Sequence, residues 1–111
     1  MLSKRIVAAL LLSSVLAACA AVEVGREFDM SAFEAKVQRG VTTQSDVHAW
    51  LGAPAGVGAS IESSGERFQQ WTYYYGKGRM PRMSDAQFKM LQLKFDQKGV
   101  LRAYNWSGER Q

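Results

Sequence analysis

The sequence has one cysteine, one histidine and only two prolines in 111 residues. A single cysteine excludes an intrachain disulfide, so the folded domain must be stabilised by burial of apolar surface. The histidine, His48, has no neighbouring cysteines or carboxylates at ligand spacing, whereas a zinc site needs several converging donors. We therefore predict no metal and no cofactor, and we interpret His48 as a polar helix residue.

The serine, carboxylate and glycine motifs also lack the partners that catalysis needs. The Ser63-Ser64 pair could use only His48 as a base, and Glu62 and Glu66 flank a glycine turn instead of sharing a helix face. Gly76-Lys77-Gly78 lacks the strand-to-helix transition and Gly-Lys-Thr spacing of a phosphate-binding loop. These absences predict that the protein is not an enzyme.

What the sequence does have is an apolar N-terminal run. Lys4 and Arg5 precede an uninterrupted stretch of apolar and small residues at 6–18, and Cys19 follows it. A charged segment before an apolar stretch of this length predicts a secretory signal rather than a transmembrane helix. Leu16-Ala17-Ala18-Cys19 resembles the bacterial lipobox, which implies cleavage before Cys19 and lipidation of its thiol.

Two other interpretations of this N-terminus stay open: an ordinary signal peptide with an Ala-x-Ala site ending at Ala20, or a plain N-terminal anchor. We favour lipidation because an exported chain would otherwise carry an unpaired thiol in an oxidising compartment. Residues 1–18 are then the lipoprotein signal peptide, 19–27 a lipidated tether and 28–111 the folded domain. Ala20 is not the aspartate that retains enteric lipoproteins in the inner membrane, and that resemblance implies the outer membrane. We expect the domain to lie on its periplasmic face, although the sequence also leaves the cell surface open.

The charge of the mature chain is small. Lys4 and Arg5 leave with the signal, so the formal net charge falls from +4 to +2. The remaining basic residues are dispersed, and exported domains rarely meet nucleic acid, so we predict no nucleic-acid partner. An extended tether would reach at most ~26–29 Å and would keep the domain near the bilayer without embedding it.

Hydrophobic periodicity predicts two short helices near the start of the domain. Apolar residues recur at helical spacing within residues 29–39, and Gly40 can end this first helix. The stretch from Thr43 to Asp46 has the form of a capping box for a second helix. Gly52 and Pro54 end that helix, because the residue before a proline avoids the α region.

Alternating residues then predict an antiparallel sheet. Clear strands are expected at 67–75, 87–95 and 100–106, with a weak strand near 58–62 and a basic loop at 76–85. Helices followed by strands predict an α+β fold class, in which two N-terminal helices pack on one face of a three- to four-stranded antiparallel meander sheet.

A set of residues spread over positions 29–104 resembles the SmpA/OmlA (BamE-like) family of outer-membrane lipoproteins. The matching positions are Gly40, Val41, Thr42, Thr43, Val47, Leu51, Gly52, Ala53, Pro54, Trp71, Tyr73, Leu93, Phe95, Asp96, Gly99 and Val100. Turns, caps and core packing account for these residues, so they mark a fold and no reaction centre.

The resemblance implies a β-lactamase-inhibitor-protein-like fold and a non-catalytic, protein-binding role. It implies an outer-membrane lipoprotein that assists β-barrel outer-membrane protein assembly or envelope integrity, with the barrel-assembly machinery or other envelope proteins as partners. The alternative is a lipid-binding or enzyme-inhibitor-like periplasmic module of the same fold. The covalent lipid on Cys19 is the single non-protein group that the resemblance implies.

Three cations close together form the first candidate binding surface. Lys77, Arg79 and Arg82 lie within the predicted loop, with Tyr74 beside them. Such a group can contact anionic lipid head groups or an acidic partner, at ~1 kcal/mol per charge near an anionic surface. The alternative is an ordinary solvated hairpin loop.

Aromatic residues near the C-terminus form the second candidate surface. Tyr74 can join Val100, Arg102, Tyr104 and Trp106 on the sheet face opposite the core. An open face of this kind would suit docking, since tyrosine and tryptophan are common at interfaces. If the face is covered, the same residues belong to the core, and the sequence leaves both interpretations open.

Overall fold

The computed structural model describes residues 20–83 and 85–108. The predicted signal peptide and the predicted lipidation residue, Cys19, lie outside these ranges. The described chain runs through β1 (Ala21–Gly25), α1 (Met30–Lys36), α2 (Gln44–Leu51), β2 (Gly56–Ile61), β3 (Arg67–Arg79), β4 (Gln87–Phe95) and β5 (Leu101–Gly108).

The five strands form one antiparallel sheet around the long strand β3. β4 pairs along one edge of β3, and β5 pairs with the far side of β4. β1 and β2 share the other edge of β3, end to end. β1 lies opposite residues 75–79 and β2 opposite residues 67–72, so Tyr73 and Tyr74 mark the junction between them.

The predicted fold class is wrong in the number of strands and in the order of the elements. The sheet has five strands instead of three or four, and the first of them precedes both helices. β2 to β5 do pair in chain order as a meander, but β1 is added beside β2 on β3, so the sheet differs from the three- to four-stranded, β-lactamase-inhibitor-protein-like arrangement that the resemblance implies. The physical reason is that a five-residue strand such as β1 is stabilised by pairing with a distant segment, which local periodicity does not reveal.

The first helix is shorter than the predicted 29–39 segment. Asp29 caps α1 by accepting a hydrogen bond from the Ala32 N–H at 3.0 Å, and the helix ends at Lys36. Thr42 accounts for the early end, because its buried Oγ1 accepts the Gln38 N–H at 2.8 Å. The chain thus turns two residues before Gly40, which takes a positive φ and donates its N–H to β5.

The second helix follows the prediction closely. The Thr43 hydroxyl accepts the Asp46 N–H at 3.2 Å, and the Asp46 carboxylate accepts the Thr43 N–H at 3.0 Å. The capping box is therefore confirmed. Gly52 ends the helix at φ +80 and donates its N–H to the His48 carbonyl, and Pro54 lies just beyond.

The core lies between the helices and one face of the sheet, which we call the helix face. It contains Phe28, Met30, Phe33, Val47, Leu51, Tyr73, Leu91, Leu93, Phe95 and Leu101. Trp71 packs its ring edge against Phe95 at 5.0 Å between centroids. The predicted apolar residues of the sheet therefore do face the helices. Asp96 and Gly99 form the β4–β5 turn, in which the Asp96 carboxylate accepts the Val100 N–H at 3.0 Å.

Candidate functional site

The described part of the chain starts with β1, at one end of the sheet. Residues 21–25 pair with β3 over their whole length, and the Ala20 carbonyl accepts the Met80 N–H at 3.5 Å. The predicted tether at 19–27 is therefore corrected, because its residues 21–25 form a strand of the sheet. Ala20 directly follows Cys19, the predicted lipidation residue, and we therefore call this end of the sheet the anchor end.

A glycine and a tyrosine secure the exit from β1. Gly25 takes φ +74, and a Cβ at this position would overlap the carbonyl oxygen and ring of Tyr74. The next residue, Arg26, donates its N–H to the same Tyr74 carbonyl at 3.1 Å. Only glycine permits both the positive φ and this close approach of two backbones.

A buried lysine holds the segment that follows β1. Lys89 is only 5% exposed, and its Nζ donates to the Phe28 carbonyl at 2.5 Å and to the Glu27 carboxylate at 3.2 Å. The same ammonium lies 4.8 Å from the centre of the Phe28 ring and 5.9 Å from that of Tyr75. Hydrogen bonding and cation–π contact together compensate for the burial of the charge.

The predicted basic loop is divided between a strand and a shorter loop. Lys77 and Arg79 belong to β3, while Arg82 lies in the connection to β4. Arg79 is partly neutralised by Asp85, whose carboxylate accepts the Arg79 backbone N–H at 3.1 Å and lies 3.8 Å from its Nε. Lys77 is opposite Glu23 of β1. The anchor end thus presents mixed charge with a basic excess.

These side chains surround a cleft of about 340 Å³ on the helix-face side of the anchor end. It is lined by Ala21, Glu23, Lys77, Gly78, Arg79, Asp85 and Gln87. Both carboxylates and both cations of the lining are exposed, so the cleft suits a polar contact and provides no desolvated reaction centre.

The opposite side of the sheet, which we call the outer face, carries an apolar patch at the same end. Val24 and Phe88 flank Gly76 across three neighbouring strands and are 52% and 46% exposed. A Cβ on Gly76 would lie 3.0 Å from Val24 and 3.2 Å from Phe88, so the two side chains close over the glycine. Cross-strand register adds the half-buried residues Val22, Tyr74 and Met90 to this anchor-end patch.

The outer face changes character away from the anchor. The following cross-strand positions are polar: Gln70, Thr72, Gln92, Lys94, Asn105 and Ser107. The exposed apolar residues of this face lie at one end and are followed by these polar positions, an arrangement typical of an interaction surface.

Tyr104 and Trp106 do not join Tyr74. Both lie on the helix face, where Tyr104 is opposite Leu93 and packs against Phe33 edge to face, with ring centroids 5.1 Å apart. They are partly buried against the core, so the predicted second aromatic surface does not form. Of its five residues, Tyr74 alone lies in the anchor-end patch.

Two tyrosines of β3 titrate abnormally. Burial raises the pKa of Tyr73 to about 12, and its hydroxyl donates to the Gly52 carbonyl at 2.8 Å. Desolvation, followed by the charge and hydrogen bond of Glu23, raises the pKa of Tyr75. Both phenols are therefore neutral at physiological pH and act as structural hydrogen-bonding groups.

The sequence interpretation misses Val24, Phe88 and Lys89. Phe88 and Met90 are spaced two apart, which places them on one face, but Leu91, Leu93 and Phe95 form a longer apolar series that identifies the other face as the core. The apolar Val22 and Val24 alternate with Glu23, which is the signal that could have revealed β1 and its outward residues.

Comparisons with protein-family models, with curated proteins and with solved structures gave no match. In the described part of the chain, neither helix has the length and hydropathy of a membrane span. Residues 20–83 and 85–108 also contain no group of three or more His, Cys, Asp or Glu side chains placed to hold a metal ion. His48 lies exposed on α2. The exposed apolar patch and the mixed-charge cleft make the anchor end the candidate site.

Proposed function

We propose that the chain is a lipid-anchored outer-membrane protein whose domain docks other envelope proteins as a non-catalytic accessory. The signal segment and Cys19 support the anchor, and the resemblance to the SmpA/OmlA (BamE-like) family supports a task in β-barrel assembly or envelope integrity. The observation that carries the proposal is the apolar patch of Val24 and Phe88 at the end of the sheet where the chain leaves Cys19.

The position of the patch determines what it can contact. Since β1 is paired into the sheet from Ala21 onward, the lipid on Cys19 holds the anchor end at the bilayer surface. Other proteins embedded in or attached to the same membrane are within reach of a domain held at the bilayer surface. Phe88 and Tyr74 provide the large aromatic surface on which binding energy commonly concentrates.

Site-specific photo-cross-linking in membranes tests the docking surface. A photoreactive amino acid at Phe88 or Val24 is expected to capture a subunit of the barrel-assembly machinery or another envelope protein, identified by mass spectrometry. The same amino acid at Val41, which is 64% exposed but lies in the α1–α2 connection, serves as the matched control. Equal capture from Val41, or lipid adducts alone from Phe88, would refute docking through this patch.

The anchor is tested separately through Cys19→Ala. This variant is expected to fold and to leave the membrane fraction, because the acyl chains supply the membrane affinity. Metabolic labelling with a fatty acid should be lost at the same time. Retention of Cys19→Ala in the outer membrane would contradict the proposed lipidation.

A second candidate function is contact with anionic lipid, favoured by the position of Lys77, Arg79 and Arg82 beside the anchor. Replacement of all three by Gln is expected to weaken binding to phosphatidylglycerol vesicles while leaving the cross-links from Phe88 unchanged. Unchanged vesicle binding would mean that these three side chains are solvated and do not contact the lipid.

A further inference from the structure

The half of the β3 edge away from the anchor end pairs with β2. The other edge of β2 is open. β2 pairs with β3 on one side, and no other strand of the described chain pairs with it on the other. Antiparallel pairing alternates between residues that bond to their neighbour and residues that direct N–H and C=O away from it. The open side of β2 therefore offers a row of backbone donors and acceptors.

The hairpin between β2 and β3 fixes which residues form that row. Glu62 donates its N–H to the Glu66 carbonyl at 2.9 Å, which makes these two a hydrogen-bonded pair. Counting back in steps of two along the register, Ser60 and Gly58 bond to β3 as well. Val57, Ala59 and Ile61 consequently direct their backbone groups to the open edge.

The side chains of the same three residues form an apolar stripe on the helix face. Val57 is opposite Trp71, which packs on the core, and Ile61 follows at the same alternation. Val57 and Ile61 are 61% and 68% exposed. Proteins usually protect such an edge with charge, proline or a bulge, but the six residues of β2 contain no charge and no proline.

A groove of about 520 Å³ begins beside this stripe. Val57, Gly58 and Ala59 form its outer wall, and Gln44 of α2 and the β4–β5 turn close its inner side. A residue on a strand added next to β2 would lie about 5 Å from its cross-strand partner, within reach of the groove for a long side chain. A second copy that pairs through β2 would bring together only the six residues of this strand from each chain, far fewer than the roughly 20–30 a side of a stable interface, which argues against a second copy as the occupant.

We propose that the open edge of β2 binds an extended segment of another protein as a sixth strand, with apolar residues at every second position of that segment. The backbone row at Val57, Ala59 and Ile61 fixes the extended conformation. The apolar stripe and the groove accept alternate side chains on the helix face, while Gly58 leaves room for any residue on the outer face. This edge is separate from the anchor-end patch and goes beyond the proposed docking function.

The direct test uses Ala59→Pro with Ala59→Val as its matched control. Proline at 59 removes an outward N–H and no bond to β3, whereas valine keeps the N–H and suits a strand. The probe is a fluorescent twelve-residue peptide that alternates valine or leucine with threonine or lysine, titrated into the full chain in detergent. Anisotropy should show binding to the natural and Ala59→Val chains, and a loss of about tenfold or more in Ala59→Pro, consistent with one blocked hydrogen-bonded contact.

Three further measurements decide the outcome. Equal affinity in the proline and valine variants, or equal binding of a scrambled peptide without alternation, would overturn the proposal. Circular dichroism checks the fold, and Val57→Lys with Ile61→Lys provides a second test at exposed positions if Ala59→Pro does not fold. Concentration-dependent dimerisation that protects the amides of residues 57, 59 and 61 without peptide would assign the edge to a second copy instead, which also overturns it.

Discussion

β1 and β2 pair with the same edge of β3, yet their own outer edges differ in charge and in the side chains that they expose. The residues of β1 that face outward include the carboxylate of Glu23, and β1 is fixed at both ends by bonds from Met80 and to Tyr74. The outward residues of β2 are uncharged, and its exposed side chains are Val57 and Ile61. A charged, short edge resists further pairing, whereas an uncharged one invites it.

The comparison separates two tasks along one sheet edge. The half near the anchor end has a charged residue, Glu23, on its outer edge and connects the domain to the segment that precedes Ala21. The half away from the anchor end has an uncharged outer edge whose backbone N–H and C=O groups can pair with a partner. The variants below change one half at a time, in order of decreasing expected effect.

Alanine at one glycine of each strand should give the largest contrast. Gly25→Ala introduces a Cβ that overlaps the Tyr74 carbonyl at a positive φ, and we expect a loss of about 3 kcal/mol in the free energy of unfolding. Gly58→Ala meets no atom within 4 Å and should be neutral or stabilising by up to about 1 kcal/mol. Urea denaturation measures both. Equal effects would mean that β1 is not held as described.

Two lysines of β4 provide the next comparison, because each holds one half of the edge. Lys89→Ala leaves the buried Phe28 carbonyl without its ammonium donor and should cost about 2 kcal/mol. Lys94, which is half-exposed and pairs with Glu62 at the end of β2, should cost less than about 1 kcal/mol when replaced by alanine. Amide hydrogen exchange of residues 21–25 should accelerate only in the first variant, and acceleration in both would contradict the contrast.

Tyr73 lies at the junction of the two halves and gives a pH-dependent test. Tyr73→Phe removes the hydrogen bond to Gly52 and should cost about 1 kcal/mol at neutral pH. In the natural chain the folded pKa is raised to about 12 from 10.0, so the folded state holds this proton more tightly than the unfolded chain. This contribution is full below pH 10 and is lost as the pH rises towards 12, by up to about 2 kcal/mol.

Urea denaturation across that range should show a smaller decline for Tyr73→Phe than for the natural chain. Parallel curves would mean that the phenol is solvated in the folded state.

The smallest effects are expected from surface carboxylates at the outer ends of the two strands. Asp85→Asn breaks the exposed contact with Arg79 near β1, and Glu62→Gln breaks the pair with Lys94 beside β2. Each substitution should change the free energy of unfolding by less than about 1 kcal/mol, and this change should become smaller at high salt. Thermal denaturation at low and high salt measures this. A larger loss in either variant would show that the strand depends on that pair.

Local patterns in the sequence predict the elements that local physics stabilises. The capping box at Thr43 and Asp46 and the alternation of Leu91, Leu93 and Phe95 depend on neighbours in the chain, and each appears in the structure. β1 has only a weak local signal, the alternation of Val22 and Val24 with Glu23, because its stability comes from pairing with residues fifty or more positions away.

The candidate site was less predictable than the fold for a related reason. Alternation assigns side chains to two faces, but it does not say which face a distant helix will cover. Tyr104 and Trp106 therefore suggest an open surface in the sequence, whereas in the structure Tyr104 packs against Phe33 and Trp106 packs against the core. Phe88 and Val24 meet across Gly76 only because three strands come into register there.

The pairing of β1 also determines how the domain would bear load. If Cys19 carries the proposed lipid, a pull on that lipid along the axis of β1 acts at right angles to the hydrogen bonds between β1 and β3. Those bonds would then be loaded together in shear and would not open one after another as in peeling. We therefore expect this connection to be mechanically stiff and to transmit force to β3, the central strand.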